Sequence, residues 1–229
     1  MLELQAITNK IVEVRRATQR GRSVLAAITG IDGAGKGHVT AQLVQILQAN
    51  GVRAAAVNVD GWLNLPDRRF DPSNPAEHFY LPAIRFDEMF AQLVLPLRDR
   101  RSIRCEVEYA EETAVAYRRH VYQFEDLDVI LLEGIFLLKQ AFQSYYDLSC
   151  WIDCSFDTAL KRAIARGQER LSPEDTTRAY RTIYFPAQEI HFRRDLPQAA
   201  ATMIFNNDTR ARKSNGRARR NANSRPHGS

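Results

Sequence analysis

A glycine-rich segment that carries a lysine has the residue types and spacing best suited to chemistry. Directly after the apolar run 24–29, the chain reads Gly30, Ile31, Asp32, Gly33, Ala34, Gly35, Lys36, Gly37 and His38. Glycines let a turn curl so that successive backbone N–H groups point inward at phosphate oxygens. The N-terminus of the helix that follows carries a partial positive charge that favours phosphate, and a lysine at this position reaches the outer phosphates. The pattern predicts a nucleotide phosphate site formed by Gly30, Asp32, Gly33, Ala34, Gly35, Lys36, Gly37 and His38.

This loop departs from the usual pattern at its last position. Gly37 stands where such loops carry Ser or Thr, whose hydroxyl binds Mg²⁺ directly. Thr40 follows on the same helical face but about 5 Å deeper, so that it would contribute only through water. The sequence leaves open whether Gly37 weakens Mg²⁺ binding, turnover or both.

Two carboxylates follow predicted strands. Asp60 ends the strand predicted over 53–59, and Glu133 follows the apolar run 129–132. Ligands bind beyond the carboxyl ends of parallel strands, so both acids are expected beside the loop. Asp60 is a candidate base for an attacking hydroxyl and a candidate Mg²⁺ ligand, and Glu133 is a candidate Mg²⁺ ligand. The simpler alternatives are an Asp-Gly turn that ends a strand and a glutamate in a strand-end salt bridge.

Three arginines are spaced four residues apart, at Arg162, Arg166 and Arg170. That spacing places them along one face of the helix predicted over 157–170. Such a row can neutralise charge on a transferred phosphoryl group. The alternative is a solvated cationic stripe paired with nearby acids.

Apolar runs alternate with helical patterns along the chain, which predicts an α/β fold with a parallel sheet and helices on both faces. The predicted strands are 24–29, 53–59, 103–109, 113–121, 129–132, 148–154 and 201–205. The predicted helices are 3–19, one from Val39 that stops at Asn50-Gly51, 86–98, 157–170 and 173–190. The stretch 61–82 holds four prolines and is predicted to be a long, irregular and functional loop.

Length and composition fit one enzyme-sized domain. The chain has 229 residues, 45% of them hydrophobic, and no apolar run approaches the roughly 18 residues of a membrane span. Three cysteines without a zinc-type pair argue against a disulfide framework. These features predict a cytoplasmic protein without a membrane site, and they leave oligomerisation open.

The net charge of +5 comes from the end of the chain. Residues 209–229 hold seven basic residues and no acid, so residues 1–208 carry a net charge of −2. We therefore expect a catalytic domain over 1–208 and a basic, disordered tail over 209–229. The acidic body argues against a dedicated nucleic-acid site.

Taken together, these motifs resemble one family over about residues 22–208. The loop, Val59-Asp60-Gly61, Leu132-Glu133-Gly134 and the helix with Arg162 and Arg166 are similar to those of uridine kinase and phosphoribulokinase-like P-loop kinases. Bacterial pantothenate kinases look similar too. The resemblance implies a P-loop NTPase-type three-layer sandwich with a helical lid. It also implies that Lys36 and the loop bind ATP, that Asp60 is the base, that Glu133 organises Mg²⁺ and that Arg162 and Arg166 belong to the lid.

The acceptor implied by the resemblance is a small hydroxyl compound, with a nucleoside such as uridine or cytidine favoured. Tyr109 resembles a substrate-contacting tyrosine of uridine kinases, and Trp62 and His120 are further candidate substrate residues. Uridine kinases carry a histidine where this chain has Ala114, which argues against pyrimidine recognition.

Other functions remain open on the sequence. The acceptor could be pantothenate, or a nucleoside monophosphate, since the loop also resembles that of thymidylate kinases. Those enzymes usually carry an Asp-Arg pair where this chain has Asp60-Gly61. A nucleotide-binding regulator with weak catalysis is the third alternative, and the glycine at position 37 favours it.

Overall fold

A computed structural model describes residues 2–167 and 171–208. The expectations for Arg170 and for the tail 209–229 lie outside the described residues. The helices are α1 Leu2–Ala17, α2 Lys36–Ala49, α3 Pro66–Arg69, α4 Pro75–Tyr80, α5 Phe86–Met89, α6 Leu95–Arg100, α7 Gln140–Gln143, α8 Phe156–Arg166, α9 Pro173–Ala179, α10 Phe185–Asp195 and α11 Pro197–Ala200. The strands are β1 Val24–Thr29, β2 Ala54–Asn58, β3 Ile103–Tyr109, β4 Arg118–Phe124, β5 Val129–Gly134, β6 Leu148–Asp153 and β7 Met203–Asn206.

The main sheet has the strand order β2-β5-β1-β6-β7, and all of its strands are parallel. Every residue of β1 and β5 is buried, as expected for central strands that are covered on both faces. Alternate residues of β1 pack into two separate cores, because side chains of a strand point to opposite faces. The three-layer α/β fold is therefore confirmed.

One core lies between the sheet and helices α1, α2 and α8, with Ile11, Leu43 and Ala159 among its buried residues. The other lies between the sheet and the helical segments that follow β2, with Phe90 and Leu93 buried in it. Turns of π-helix, Phe90–Val94 and Tyr180–Tyr184, join α5 to α6 and α9 to α10. Because β1, β2 and β5 are parallel strands of one sheet, their carboxyl ends lie at the same edge of the sheet.

Three predicted elements differ from the structure by four or more residues at one end. The strand predicted over 113–121 lies at Arg118–Phe124. The end of β3 is held by the hydrogen bond from Ala110 N to Gly61 O, and the chain uses residues 111–117 to turn back. The helix predicted over 157–170 ends at Arg166, since Gly167 adopts a left-handed conformation. The helix predicted to end at residue 190 continues to Asp195.

The sequence predicted an irregular loop over 61–82, but part of this stretch is helical. It contains α3 and α4, each of which begins at a proline, Pro66 and Pro75. Proline is well suited to the first turn of a helix, where its missing N–H costs no hydrogen bond. Helix α4 packs against α10, and the segment supplies residues to the site described below.

Among residues 2–167 and 171–208, none of the helices has the length and apolarity needed to cross a bilayer. Cys105, Cys150 and Cys154 are free thiols.

Candidate functional site

The glycine-rich loop connects β1 to α2, and its glycines are required by conformation and by close packing. Gly33 and Gly35 have φ angles of 75° and 90°, which side chains rarely adopt. A Cβ on Gly33 would also lie 2.5 Å from the Ala159 carbonyl oxygen of α8. Within the described residues, no side chain caps the N-terminus of α2. The first N–H groups of this helix are therefore available to an anion.

Two side chains hold the loop from outside. Arg162 Nη1 and Asn207 Nδ2 both donate to the Ala34 carbonyl oxygen, over 3.1 and 2.7 Å. The C=O and N–H of a trans peptide point in opposite directions, so the Gly35 N–H faces away from these two donors. Arg162 Nη2 also donates to the Asn207 carbonyl oxygen at 2.8 Å. Arg162 thus shapes the loop, and it does not line the cavity described next.

A cavity of about 420 Å³ opens in front of the loop. Its residues come from the loop, from the ends of β2 and β5, from the segment 61–82 and from the helices that follow β6. They are Asp32, Gly33, Gly35, Lys36, Gly37, His38, Asn58, Asp60, Leu63, Arg69, Phe79, Glu112, Glu133, Ile135, Arg166 and Tyr184.

Lys36 is the first residue of α2, and only 7% of it is exposed. Its ammonium group donates a 3.0 Å hydrogen bond to the Ile31 carbonyl oxygen, across the turn that the loop forms. A charged group buried at the cavity with one backbone partner keeps two donor hydrogens for a ligand. The structure therefore brings a cation and free helix N–H groups to the same place.

Asp60 and Glu133 face the same cavity. Asp60 lies in the 3₁₀ turn Val59–Gly61 directly after β2, and Glu133 lies in β5 opposite Asn58. The Asn58 side chain joins them: its Oδ1 accepts from Asp60 N at 2.7 Å and its Nδ2 donates to Glu133 Oε2 at 2.8 Å. Asn58 was not among the predicted site residues, although an amide two residues before Asp60, in a predicted strand, is a usable signal.

The electrostatics of the two acids differ from those of surface carboxylates. Burial raises the pKa of Glu133 to about 7, while the nearby Lys36 ammonium opposes the shift. Desolvation by the surrounding protein also raises the pKa of Asp60, again against the effect of Lys36. The open cavity leaves Asp60 exposed to solvent in the free protein, but the cavity walls still surround it. A carboxylate with a raised pKa is a better proton acceptor near neutral pH.

Asp32 and Arg166 meet at the loop. Asp32 accepts a hydrogen bond from the Gly33 N–H at 2.8 Å and a second one from the Tyr180 hydroxyl. Arg166 Nη2 lies 3.7 Å from Asp32 Oδ1 and lines the cavity. Of the two predicted lid arginines that the structure describes, Arg166 therefore faces the ligand space and Arg162 supports the loop.

The three predicted substrate residues do not line this cavity. Trp62 is fully buried and stacks on Tyr122, with ring centroids 6.1 Å apart. Tyr109 packs so closely on Gly61 that a Cβ there would lie 2.3 Å from its ring. His120 packs between Tyr109 and Tyr122, with ring centroids 4.7 and 4.5 Å away. The hairpin β3-β4 thus uses these rings to pack on the segment after Asp60.

Further residues complete the cavity, and of these Arg69, Glu112 and Tyr184 were not singled out from the sequence. Arg69, Phe79 and Glu112 come from the segment after β2 and the loop after β3, and Tyr184 comes from the turn before α10. Arg69 is only 3% exposed, whereas Arg68 beside it is exposed. Nothing in the sequence distinguishes two adjacent arginines, so no local signal could have selected Arg69.

The donor set suits a hard cation that is shared with a bound phosphate. Glu133 and Asp60 offer carboxylate oxygens, which Mg²⁺ prefers. In the part of the chain that the structure describes, no three His, Cys, Asp or Glu residues lie close enough together to hold a metal ion. Mg²⁺ bound here would therefore take most of its ligands from phosphate and water.

Solved structures similar to this fold cover nearly all of the described chain. A possible uridine kinase from Bacillus stearothermophilus aligns with a TM-score of 0.66 at 18% identity, over 89% of this chain and 99% of that one. A candidate fructose transport system kinase from Silicibacter sp. TM1040 gives 0.68 at 19% identity, over 88% and 98%. The D-glycerate 3-kinase from Cryptococcus neoformans var. grubii gives 0.59 at 14% identity, over 82% and 87%. At these identities the likeness shows the fold.

Among curated proteins, none matches this sequence. A family model does match, over residues 25–172, and this range includes the glycine-rich loop, Asp60, Glu133 and both described arginines of α8. The chain therefore belongs to the Phosphoribulokinase / Uridine kinase family of P-loop kinases.

Proposed function

We propose that the protein transfers the γ-phosphoryl group of ATP to a hydroxyl group of a small molecule. The observation that carries this proposal is the meeting of three features on one cavity. These are the loop with Lys36, the carboxylate of Asp60 and the carboxylate of Glu133. The family to which the chain belongs supports the same reaction class.

In the proposed reaction, the loop N–H groups and Lys36 bind the outer phosphates of ATP. Asp60 accepts the proton of the acceptor hydroxyl while the hydroxyl oxygen forms a bond to the γ-phosphorus. The bond from that phosphorus to the ADP oxygen breaks. Arg166 offsets charge on the transferred group. Mg²⁺ held through Glu133 and Asp60 would neutralise phosphate charge when bound.

The identity of the acceptor is the finer part of the proposal. The sequence favours uridine or cytidine, with Trp62, Tyr109 and His120 as contacts. Those three side chains pack within the hairpin region instead of on the cavity. The cavity therefore gives no support to a base-binding site made from them, and the proposal stands on the hydroxyl acceptor in general.

The test is ADP release with Mg²⁺ and ATP in the presence of nucleosides, pantothenate or nucleoside monophosphates. Release that depends on a hydroxyl compound supports the proposal, whereas release with monophosphates alone would make the protein a nucleotide kinase. ATP binding without release under any condition would leave a nucleotide-binding regulator. Lys36→Met should abolish ATP binding, and Lys161→Met, on the exposed face of α8, is its matched control.

A further inference from the structure

We propose that Arg69 binds a carboxylate of the acceptor, so that the acceptor is a hydroxy acid. This inference rests on the proposed phosphoryl transfer and names the chemical class of its acceptor. It starts from the cavity residues that the transfer itself does not use.

The burial of Arg69 needs an explanation. Arg69 ends the short helix α3 with 3% of its surface exposed, and one of its nitrogens, Nη2, donates to the Glu112 carbonyl oxygen at 2.6 Å. Its Nε is buried and has no hydrogen-bond partner among the described residues. A buried cation with an unsatisfied donor costs stability, and because Arg69 lines the cavity, a ligand carboxylate there would offset its charge.

The surroundings of Arg69 cover part of its guanidinium, and the rest of the side chain lines the cavity. One face lies over the Phe70 ring, 5.2 Å from its centroid. The Glu112 carboxylate acts on Arg69 through its charge, although no salt bridge joins Arg69 to a carboxylate within the described ranges. Leu63, Phe79 and Ile135 line the same cavity and supply apolar walls, in which a charge-assisted hydrogen bond gains strength.

The charges around the cavity favour a carboxylate over a phosphate ester. Among the described residues that line it, the permanent cations are Lys36, Arg69 and Arg166. Lys36 belongs to the phosphate loop and Arg166 lies beside Asp32, so one cation is left for the acceptor. Arginine pairs with both groups, but a phosphate monoester carries about 1.5 to 2 negative charges, whereas a carboxylate carries one, which a single cation can balance. Glu112 also lines the cavity and adds negative charge, which disfavours a dianion further.

The experiment compares acceptors that differ only in the charged group. The probes are D-glycerate, glycerol and glycerol 3-phosphate, then pantothenate and its neutral alcohol panthenol, and finally uridine. ADP release is measured with each, and the binding of each is measured by calorimetry in the presence of a non-hydrolysable ATP analogue. We expect a carboxylate to have the highest kcat/KM, and to bind more tightly than its neutral partner.

Variants then assign the preference to Arg69. Arg69→Met should raise KM for the preferred hydroxy acid about 10- to 100-fold with kcat and the KM for ATP little changed. Arg68→Met, one residue away and exposed, should leave both constants unchanged. Arg69→Lys keeps the charge without the planar guanidinium and should give an intermediate KM. Thermal melting checks that each variant is folded, and Arg69→Lys serves if Arg69→Met does not fold.

The outcomes separate this inference from the proposed function. Preference for uridine, a neutral alcohol or glycerol 3-phosphate overturns the hydroxy-acid inference and leaves the kinase proposal standing. A folded Arg69 variant with unchanged KM for a hydroxy acid also overturns it. If no probe releases ADP and no carboxylate binds in calorimetry, the inference fails. The absence of ATP binding would remove the proposed function as well.

Discussion

Asn58 Nδ2 donates a 2.8 Å hydrogen bond to Glu133 Oε2, which ties the last residue of β2 to the acid at the end of β5. The oxygen of the same amide accepts from the backbone N–H of Asp60. One side chain therefore links the backbone at Asp60 to the carboxylate of Glu133. The position of both acids depends on the pairing of β2 with β5, whose register places Asn58 opposite Glu133.

Replacing the proposed base should remove catalysis and keep binding. Asp60→Asn preserves the shape of the side chain but cannot accept the proton, so we expect kcat to fall by about 10²- to 10⁴-fold. ATP affinity, measured by calorimetry, should be kept, because Lys36 and the loop remain. A rate equal to that of the natural protein would show that another group accepts the proton.

The raised pKa of Glu133 should make stability depend on pH. In the unfolded chain this carboxyl loses its proton near its ordinary pKa of about 4.3, and in the folded protein it does so only at about 7. Between those values the folded state holds more protons, so the free energy of unfolding falls as pH rises, by about 4 kcal/mol at most. The loss is absent below the lower pKa and complete above the higher one.

Glu133→Gln removes this titration and keeps an oxygen that can accept from Asn58. We expect its melting temperature to change less between pH 5 and pH 8 than that of the natural protein. Equal slopes for the two proteins would contradict the raised pKa of Glu133.

A hydroxyl restored at position 37 should strengthen the binding of Mg²⁺ and ATP. A Cβ on Gly37 would meet only Glu133 Oε2, at an ordinary contact distance of 3.9 Å, so the backbone can accept a side chain. Gly37→Ser adds a hydroxyl beside that carboxylate, whereas Gly37→Ala adds the same carbon without it. We expect a lower KM for ATP and a lower Mg²⁺ requirement in the serine variant alone. Identical behaviour of the two variants would mean that the hydroxyl has no role here.

The two arginines of α8 should fail in different ways. Arg162→Met removes the hydrogen bonds to the carbonyl oxygens of Ala34 and Asn207 and to Cys154 Sγ, and should lower both the melting temperature and the affinity for ATP. Arg166→Met should lower kcat by about 10- to 100-fold with a smaller effect on melting, because Arg166 faces the cavity. Melting curves and steady-state kinetics on the same preparations separate these effects. Similar losses in both variants would contradict the division of roles.

The sequence by itself determined the features that depend on local pattern. The apolar run of β1, the glycines of the loop and Lys36 lie within 13 consecutive positions, and such short spacings fix the conformation directly. The alternation of strands and helices likewise predicted a parallel α/β sheet. Because parallel strands end at one edge, the order of the motifs was enough to expect Asp60 and Glu133 beside the loop.

Only the tertiary structure decided which side chains face the cavity. Trp62 and Arg69 both lie in the segment after β2, and packing buries Trp62 against Tyr122 but leaves Arg69 on the cavity wall. Arg162 and Arg166 share a helical face, but Arg162 donates hydrogen bonds to the carbonyl oxygens of Ala34 and Asn207 and does not line the cavity. These outcomes depend on contacts between residues far apart in the chain, and local spacing carries no information about such contacts.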